Sequence, residues 1–244
     1  MLFNNHLLHA LPNKDVNGLD DRLVPTPLRA RQILSWPGQP IEYVYFIEAG
    51  LVSVMANTGS ERAVEVWLVG SEGLVGLPAV LDGFPSPHRY VVQVSGHAFR
   101  IRAKELQQAM QGSVLLRRLL LRYVQANLIQ ASQSGACATR HTVKQRIARW
   151  LLLAHDRMPG EQLPLTHALL SRLIGVRRAT VTVSLGMFEE DGSIRLSRGT
   201  IVVANRERLE QAACKCYRII ASAHENVSAR HPTIAAASEN CQRF

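Results

Sequence analysis

Arg177 and Arg178 stand side by side in the sequence, and Arg198 follows them beside a glycine. A guanidinium is a rigid fork of donors. It fits a phosphate, or the O6/N7 edge of a guanine, with two parallel hydrogen bonds. The chemistry on offer is therefore recognition of an anion or a base edge, and it requires elements that hold the arginines at an exposed, positively polarised end.

The surrounding residues supply such elements. Leu165, Leu169, Leu170 and Leu173 share one helical face, and Val181, Leu185 and Phe188 share another at spacings of four and three. Thr166 is placed to cap the first helix. Gly175 suits the left-handed turn between the two. The pattern is that of a helix-turn-helix, with Arg177 and Arg178 at the positive end of its second helix. A plain buried helical hairpin with two solvated arginines would show the same pattern up to this point. Residues 193–203 separate the two possibilities. Ser193–Leu196 alternates like a strand, Ser197-Arg198-Gly199 is a turn, and Thr200–Val203 is a β-branched strand. A β-hairpin directly behind a helix-turn-helix is a wing, and its turn is basic.

Charge is distributed accordingly. The chain carries a formal net charge of +9. Residues 1–136 hold 12 Lys and Arg against 10 Asp and Glu, whereas residues 137–230 hold 15 against 8. A basic half beside a near-neutral half is the footprint of a domain that neutralises phosphates. The basic residues are spread over helices, turn and wing, which argues against a polybasic membrane segment. No apolar run approaches the ~20 residues that span a bilayer. The opening Met-Leu-Phe-Asn-Asn-His has no positive region before a long apolar core, so no signal peptide and a cytoplasmic location are expected. Cys137, Cys214, Cys216 and Cys241 are few and unevenly spaced, which implies no disulfide framework. Cys214-x-Cys216 with His224, His231 and Cys241 matches no usual zinc spacing. These cysteines read as free thiols on a terminal helix, and neither a metal nor a cofactor is expected.

The 244 residues suffice for two domains. Residues 1–30 read as short helical or irregular pieces punctuated by Pro12, Pro25 and Pro27. Short β-rich runs come next at Val44–Ile47, Leu51–Met55, Val64–Val69, Tyr90–Val94 and Ala98–Ile101. Turn signals such as Ala49-Gly50, Asp82-Gly83 and Ser95-Gly96 separate them. This predicts an antiparallel barrel or jelly roll over residues 1–112. From Lys104 to about Ala138 the pattern is helical, and residues 113–138 are expected to form a dimerisation helix. Val114, Leu121, Val124, Leu128, Ala131 and Gly135 lie along a coiled-coil-like seam suited to a second copy. Another helix, about Thr142–His155, precedes the helix-turn-helix in a domain placed at 139–222. Residues 223–244, poor in large apolar residues, read as a disordered tail.

A β-roll, a long dimer helix and a winged helix-turn-helix, in that order, resemble the cyclic-AMP receptor protein/Fnr family of bacterial transcription regulators. Tyr45–Val54, with its Gly50 turn, is similar to the family's roll strand, and Gly73-Leu74-Val75-Gly76 to its motif near the effector pocket. Leu165–Gly175 with Arg178–Val181 resembles its helix-turn-helix signature, and Arg198–Val203 its wing. The resemblance covers about Leu19 to Leu209. It implies an α+β fold that ends in a winged helix-turn-helix, a homodimer, and double-stranded DNA with a palindromic operator as partner. RNA polymerase is a further partner, and no membrane is involved. Thr166, His167, Arg177, Thr180 and Arg198 fall where the family touches phosphates. Arg178, Ala179, Thr182 and Val183 lie on the recognition helix, and Ser197 at the wing. The implied effector pocket comprises Leu74, Val75, Gly76, Arg89, Tyr90, Tyr123 and Asn127.

Departures from the family pattern carry as much information. Its cyclic-nucleotide binders grip ribose and phosphate with a Gly-Glu pair and a later Arg-Ser or Arg-Thr pair. Here Leu77 follows Gly76, and the later segment reads Ser86-Pro87-His88-Arg89-Tyr90. Its iron–sulfur members need N-terminal cysteines, and none precedes Cys137. His88 and His97 read as surface loop residues rather than haem ligands. On the recognition helix, Ala179 and Val183 stand where the family has Glu and Arg, so apolar contact with thymine methyls replaces two polar contacts. The expectation is a dimeric DNA-binding regulator controlled by an effector other than cyclic AMP. The competing expectation is a non-enzymatic module of the cyclic-nucleotide-binding fold that acts through protein contacts. An enzyme is not expected, since no nucleophile elbow, phosphate-binding Gly-Lys-Ser/Thr loop or spaced metal ligands occur.

Overall fold

In a computed structural model the described residues are 3–12, 18–57, 59, 63–81 and 83–228. The N-terminal part starts with helix α1 (His6–His9) and strands β1 (Val24–Leu28) and β2 (Ile33–Ser35). Strands β3 (Tyr43–Ala56), β4 (Val64–Val69) and β5 (Leu74–Val75) come next, then helix α2 (Leu77–Val80) and strand β6 (Arg89–Arg102). The six strands form one antiparallel sheet in the order β1-β6-β3-β4, with β2 on β6 and β5 on β3.

Four of the β-rich runs in the sequence prove to be halves of two long strands. Ala49-Gly50 and Ser95-Gly96 are not turns between strands but irregularities inside β3 and β6, where the register shifts. The two glycines are needed because the backbones cross closely there: a Cβ on Gly96 would lie 1.9 Å from the Ala49 carbonyl oxygen. Such bulges bend a strand and let a two-strand ribbon fold over itself into a roll. Residues 24–28 also depart from the sequence reading. Pro25 and Pro27 sit in a strand, which is tolerated because β1 lies at the edge of the sheet, pairing with β6 alone among the described strands.

The expected helix from Lys104 onward is two helices, α3 (Ala103–Gly112) and α4 (Val114–Arg140). Ser113 ends the first in extended conformation and caps the second, its Oγ accepting from Leu116 N at 3.1 Å. Helix α5 (Val143–His155) starts from a capping box between Thr142 and Gln145. Strand β7 (Gln162–Leu163), helices α6 (His167–Ile174) and α7 (Arg178–Glu190), and strands β8 (Ile194–Ser197) and β9 (Thr200–Val203) complete the winged unit. Its sheet runs β7-β9-β8. Helices α8 (Arg206–Ala212) and α9 (Cys216–Ser228) close the described chain. The tail expected from residue 223 is corrected at its start. Helix α9 continues to Ser228, and Val227 is buried with Leu120, Tyr123 and Val124 of α4. Residues 229–244 lie outside the described residues.

One apolar cluster bridges the two halves. Leu51, Met55, Leu68 and Val94 of the roll pack with Trp150, Leu153, Leu173, Val181 and Phe188 of the winged unit.

Candidate nucleic-acid interface and sensor pocket

The recognition helix is fixed by its buried side and leaves the other side free. Val181, Ser184, Leu185 and Phe188 of α7 are buried, while Arg177, Arg178, Ala179, Thr180, Thr182 and Val183 are exposed. Gly175 takes φ 72°, the left-handed turn that reverses the chain between α6 and α7, and Val64 of β4 crowds its free side. The Thr166 hydroxyl caps α6 by accepting from Leu169 N at 3.1 Å. His167 Nδ1 lies 3.1 Å from Thr182 Oγ1, which joins the start of α6 to α7. Among the described residues no side chain caps the N-terminus of α7, so its first N–H groups are left for an outside partner beside both arginines.

At the wing, Ser197 pairs with Thr200, which puts Arg198 and Gly199 at the tip of a two-residue turn. Ser197 and Arg198 are exposed. Glu189 Oε1 accepts from Leu196 N at 2.9 Å and thereby ties the wing to α7. Met187 is a residue the sequence reading missed. It lies one turn beyond Val183 and is 45% exposed. The four-residue step from Val183 was the available signal.

The expected dimer seam divides. Val114, Leu121 and Leu128 are exposed at 71%, 43% and 66%, joined by Leu115. Gly135 is exposed and Ala131 half-buried. Val124 is corrected: it is buried in the chain's own core with Leu120, Tyr123 and Val227, and is not available to a second copy.

The seven expected pocket residues also fall into separate groups. Leu74 and Val75 are neighbours on β5 and point to opposite faces. Leu74 packs with Tyr123, whereas Val75 packs with Tyr90. Tyr123 Oη donates to the Leu74 carbonyl at 3.2 Å, and the ring lies so close to Gly73 that a Cβ there would overlap it. Burial, first, and the Glu72 charge, second, hold the Tyr123 hydroxyl well above its usual pKa. Asn127 Nδ2 donates to the Tyr123 carbonyl at 2.8 Å, while its Oδ1 and Arg89 Nε are buried without a partner among the described residues. Gly76 precedes α2 with φ 111°, and Leu77 and Pro78 open that short helix where the nucleotide binders carry a carboxylate. The Ser86 hydroxyl is engaged by His88, accepting from its backbone N at 3.1 Å. His88 sits edge-on to Trp67, and His97 lies in β6 rather than in a loop. Leu77 carries no carboxylate at that position, and Pro87 has no N–H to donate.

Three features between the halves were invisible in the sequence. A cleft of about 490 Å³ lies between β4 and helices α4 to α6, lined by Trp67, Gln130, Arg146, Arg149 and Trp150 among others. At its edge the half-buried Glu65 accepts from Trp150 Nε1 at 2.6 Å. Burial raises the Glu65 pKa, opposed by its hydrogen bonds to Ser53 and Trp150. On α9, His224 Nε2 lies 2.7 Å from Gln130 Oε1, and its ring tilts on Tyr123. The cysteines form the third feature. Cys216 opens α9 and Cys214 precedes it, as expected for thiols on a terminal helix, but both are buried against Cys137 on α4.

Residues 145–212 match the family model of the Crp-like helix-turn-helix domain, and residues 25–113 that of the cyclic nucleotide-binding domain. The chain is 25% identical to the global nitrogen regulator of Synechocystis sp. over 185 residues, 72% of this chain and 82% of that protein. It is 23% identical to a CRP-like cAMP-activated global transcriptional regulator of Mycobacterium tuberculosis over 205 residues, 81% of this chain and 92% of the relative. Among solved structures, FixK2 from Bradyrhizobium japonicum superposes with a TM-score of 0.68 at 19% identity. That match covers 79% of this chain and 98% of the other. No helix among the described residues is long and apolar enough to cross a membrane.

Proposed function

The chain belongs to the Crp/Fnr family of transcription regulators, and from that premise we propose that it binds a palindromic DNA operator as a homodimer. Arg178, Ala179, Thr182 and Val183 read base edges in the major groove. Thr166, His167, Arg177, Thr180, Ser197 and Arg198 hold phosphates and set the register. The carrying observation is the exposed set Arg177–Thr180, Thr182 and Val183, with the basic wing tip on the same unit, while Val181, Ser184, Leu185 and Phe188 of α7 are buried. The dimer forms along α4 through Val114, Leu121 and Leu128, three large apolar side chains on one face that the other described residues leave exposed. The roll transmits the signal of an effector other than cyclic AMP.

The experiment is selection of bound duplexes from a random pool, then affinity measurement on the recovered site across a salt series. A two-fold symmetric site, bound at least about 10³-fold more tightly than scrambled DNA, is the expected result. Binding that shows no sequence preference leaves the competing function, a module acting through protein contacts. Calorimetry with cyclic AMP tests the sensor. Two lost buried polar contacts at about 1–3 kcal/mol each weaken binding by roughly two to four orders of magnitude. Micromolar affinity with a matching gain in operator affinity would restore cyclic AMP as effector.

A further inference from the structure

Four side chains from two distant segments meet where the long helix ends. Cys137 lies on the last turn of α4, and His141 is the residue that ends the helix, its backbone N–H donating to the Cys137 carbonyl at 3.1 Å. Cys214 and Cys216 are brought to them by the segment between α8 and α9. Cys137 Sγ lies 3.5 Å from Cys214 Sγ, and Cys216 Sγ lies 3.5 Å from His141 Nδ1. All four ligand atoms fall within 4.8 Å of one another.

The two 3.5 Å separations are close to the edges of a tetrahedron around one ion, and the rest, within 4.8 Å, need only a small contraction to reach them. With Zn–S of about 2.3 Å and Zn–N of about 2.0–2.1 Å, ideal S···S and S···N edges are roughly 3.8 and 3.6 Å. The three thiols are free and buried against one another. Gln133 Nε2 donates to Cys216 Sγ at 3.3 Å, an N–H···S bond of the kind that supports a thiolate ligand. His141 is half-buried.

We propose that Cys137, His141, Cys214 and Cys216 bind one thiophilic divalent cation of the zinc class. With four protein ligands the site is closed, which is the pattern of a structural rather than a catalytic ion. Its place gives it a consequence. It fastens the start of α9 to the end of α4, next to Thr142, where the chain enters the DNA-binding half. Sequence spacing hid the site because Cys137 and Cys214 are 77 residues apart, and the visible Cys-x-Cys pair directs attention to His224, His231 and Cys241 instead.

The test uses the full chain, untagged and kept reduced. Plasma mass spectrometry is expected to find about one zinc per chain, and the metal-free protein refilled with cobalt(II) is expected to show sulfur-to-cobalt charge-transfer bands and the intense visible bands of a tetrahedral ion. A Cys214→Ser/Cys216→Ser variant is expected to fall below about a tenth of that content, while Cys241→Ser retains it. Removal of the metal is also expected to speed amide exchange across residues 213–228 by about tenfold or more. Three results overturn the proposal: a cobalt spectrum without thiolate bands, equal metal in the double variant, or a Cys137–Cys214 disulfide in protein purified without air. The cobalt titration of the native chain decides the matter even if the variant does not fold.

Discussion

At the residue scale, the two kinds of arginine should behave differently. Arg178 stands on the first turn of an exposed recognition helix, and Arg198 at the tip of a turn. Arg178→Ala should lose about 1–3 kcal/mol on the selected operator and relax preference at one base position. Arg198→Ala should weaken all duplexes about equally and flatten the salt dependence. Identical behaviour of both variants on matched and scrambled sites would refute this division of roles. A second residue reports on α9. Burial, with a smaller push from Arg157, lowers the His224 pKa from its usual 6.5 to about 3. The folded chain keeps this histidine neutral while the unfolded chain protonates it, so its contribution is full above about pH 6.5 and is lost as pH falls toward 3. Between pH 7 and pH 5 that amounts to about 2 kcal/mol. Urea melts at the two pH values should differ by less in His224→Gln, and an unchanged difference would exclude His224 as the source.

At the scale of elements, α4 presents two different apolar faces. Leu116, Leu120, Tyr123 and Val124 are buried in the chain's own core, whereas Val114, Leu121 and Leu128 face out. Leu121→Glu with Leu128→Glu should therefore leave the fold intact and break the dimer, because it places unpaired charge in the interface at a cost of several kcal/mol. Light scattering should show a dimer for the native chain and a monomer for the variant, and a native monomer would end the idea. The same helix shows how far the sequence was legible. Periodicity identified α4, α5, α6 and α7 because long amphipathic patterns repeat their signal at every turn. It could not assign Val124, since a coiled-coil seam and a buried stripe differ by one step around the helix. It split β3 and β6 because Gly50 and Gly96 mark a bulge as readily as a turn. The pocket residues were placed by resemblance alone, and β5 sends Leu74 and Val75 to opposite faces. The cysteine cluster and the His224 contact depend on how α9 folds back, which local pattern does not encode.

At the scale of the whole molecule, sensor and DNA-binding halves share a core and a buried ion pair. Arg157, just past α5, meets Glu72 of the β4–β5 loop at 2.6 Å, with exposures of 3% and 10%. Arg157 also donates to the Leu153 carbonyl at 2.9 Å and to Gln130 Oε1 at 3.2 Å, so it links the winged unit to the loop and to α4 together. With Trp150 bonded to Glu65 and the apolar cluster running across the boundary, neither half can open without exposing the other. The native chain should therefore unfold in one calorimetric transition, with equal calorimetric and van't Hoff enthalpies per cooperative unit. Glu72→Ala leaves the Arg157 charge buried and unpaired, which costs about 3–5 kcal/mol at the junction. The roll and the winged unit each keep an internal sheet, so the loss falls on their coupling, and the single transition should separate into two. Two transitions in the native chain, or one unshifted transition in Glu72→Ala, would show that the junction does not unite the halves. A signal from the roll would then have to reach the recognition helix along α4 alone.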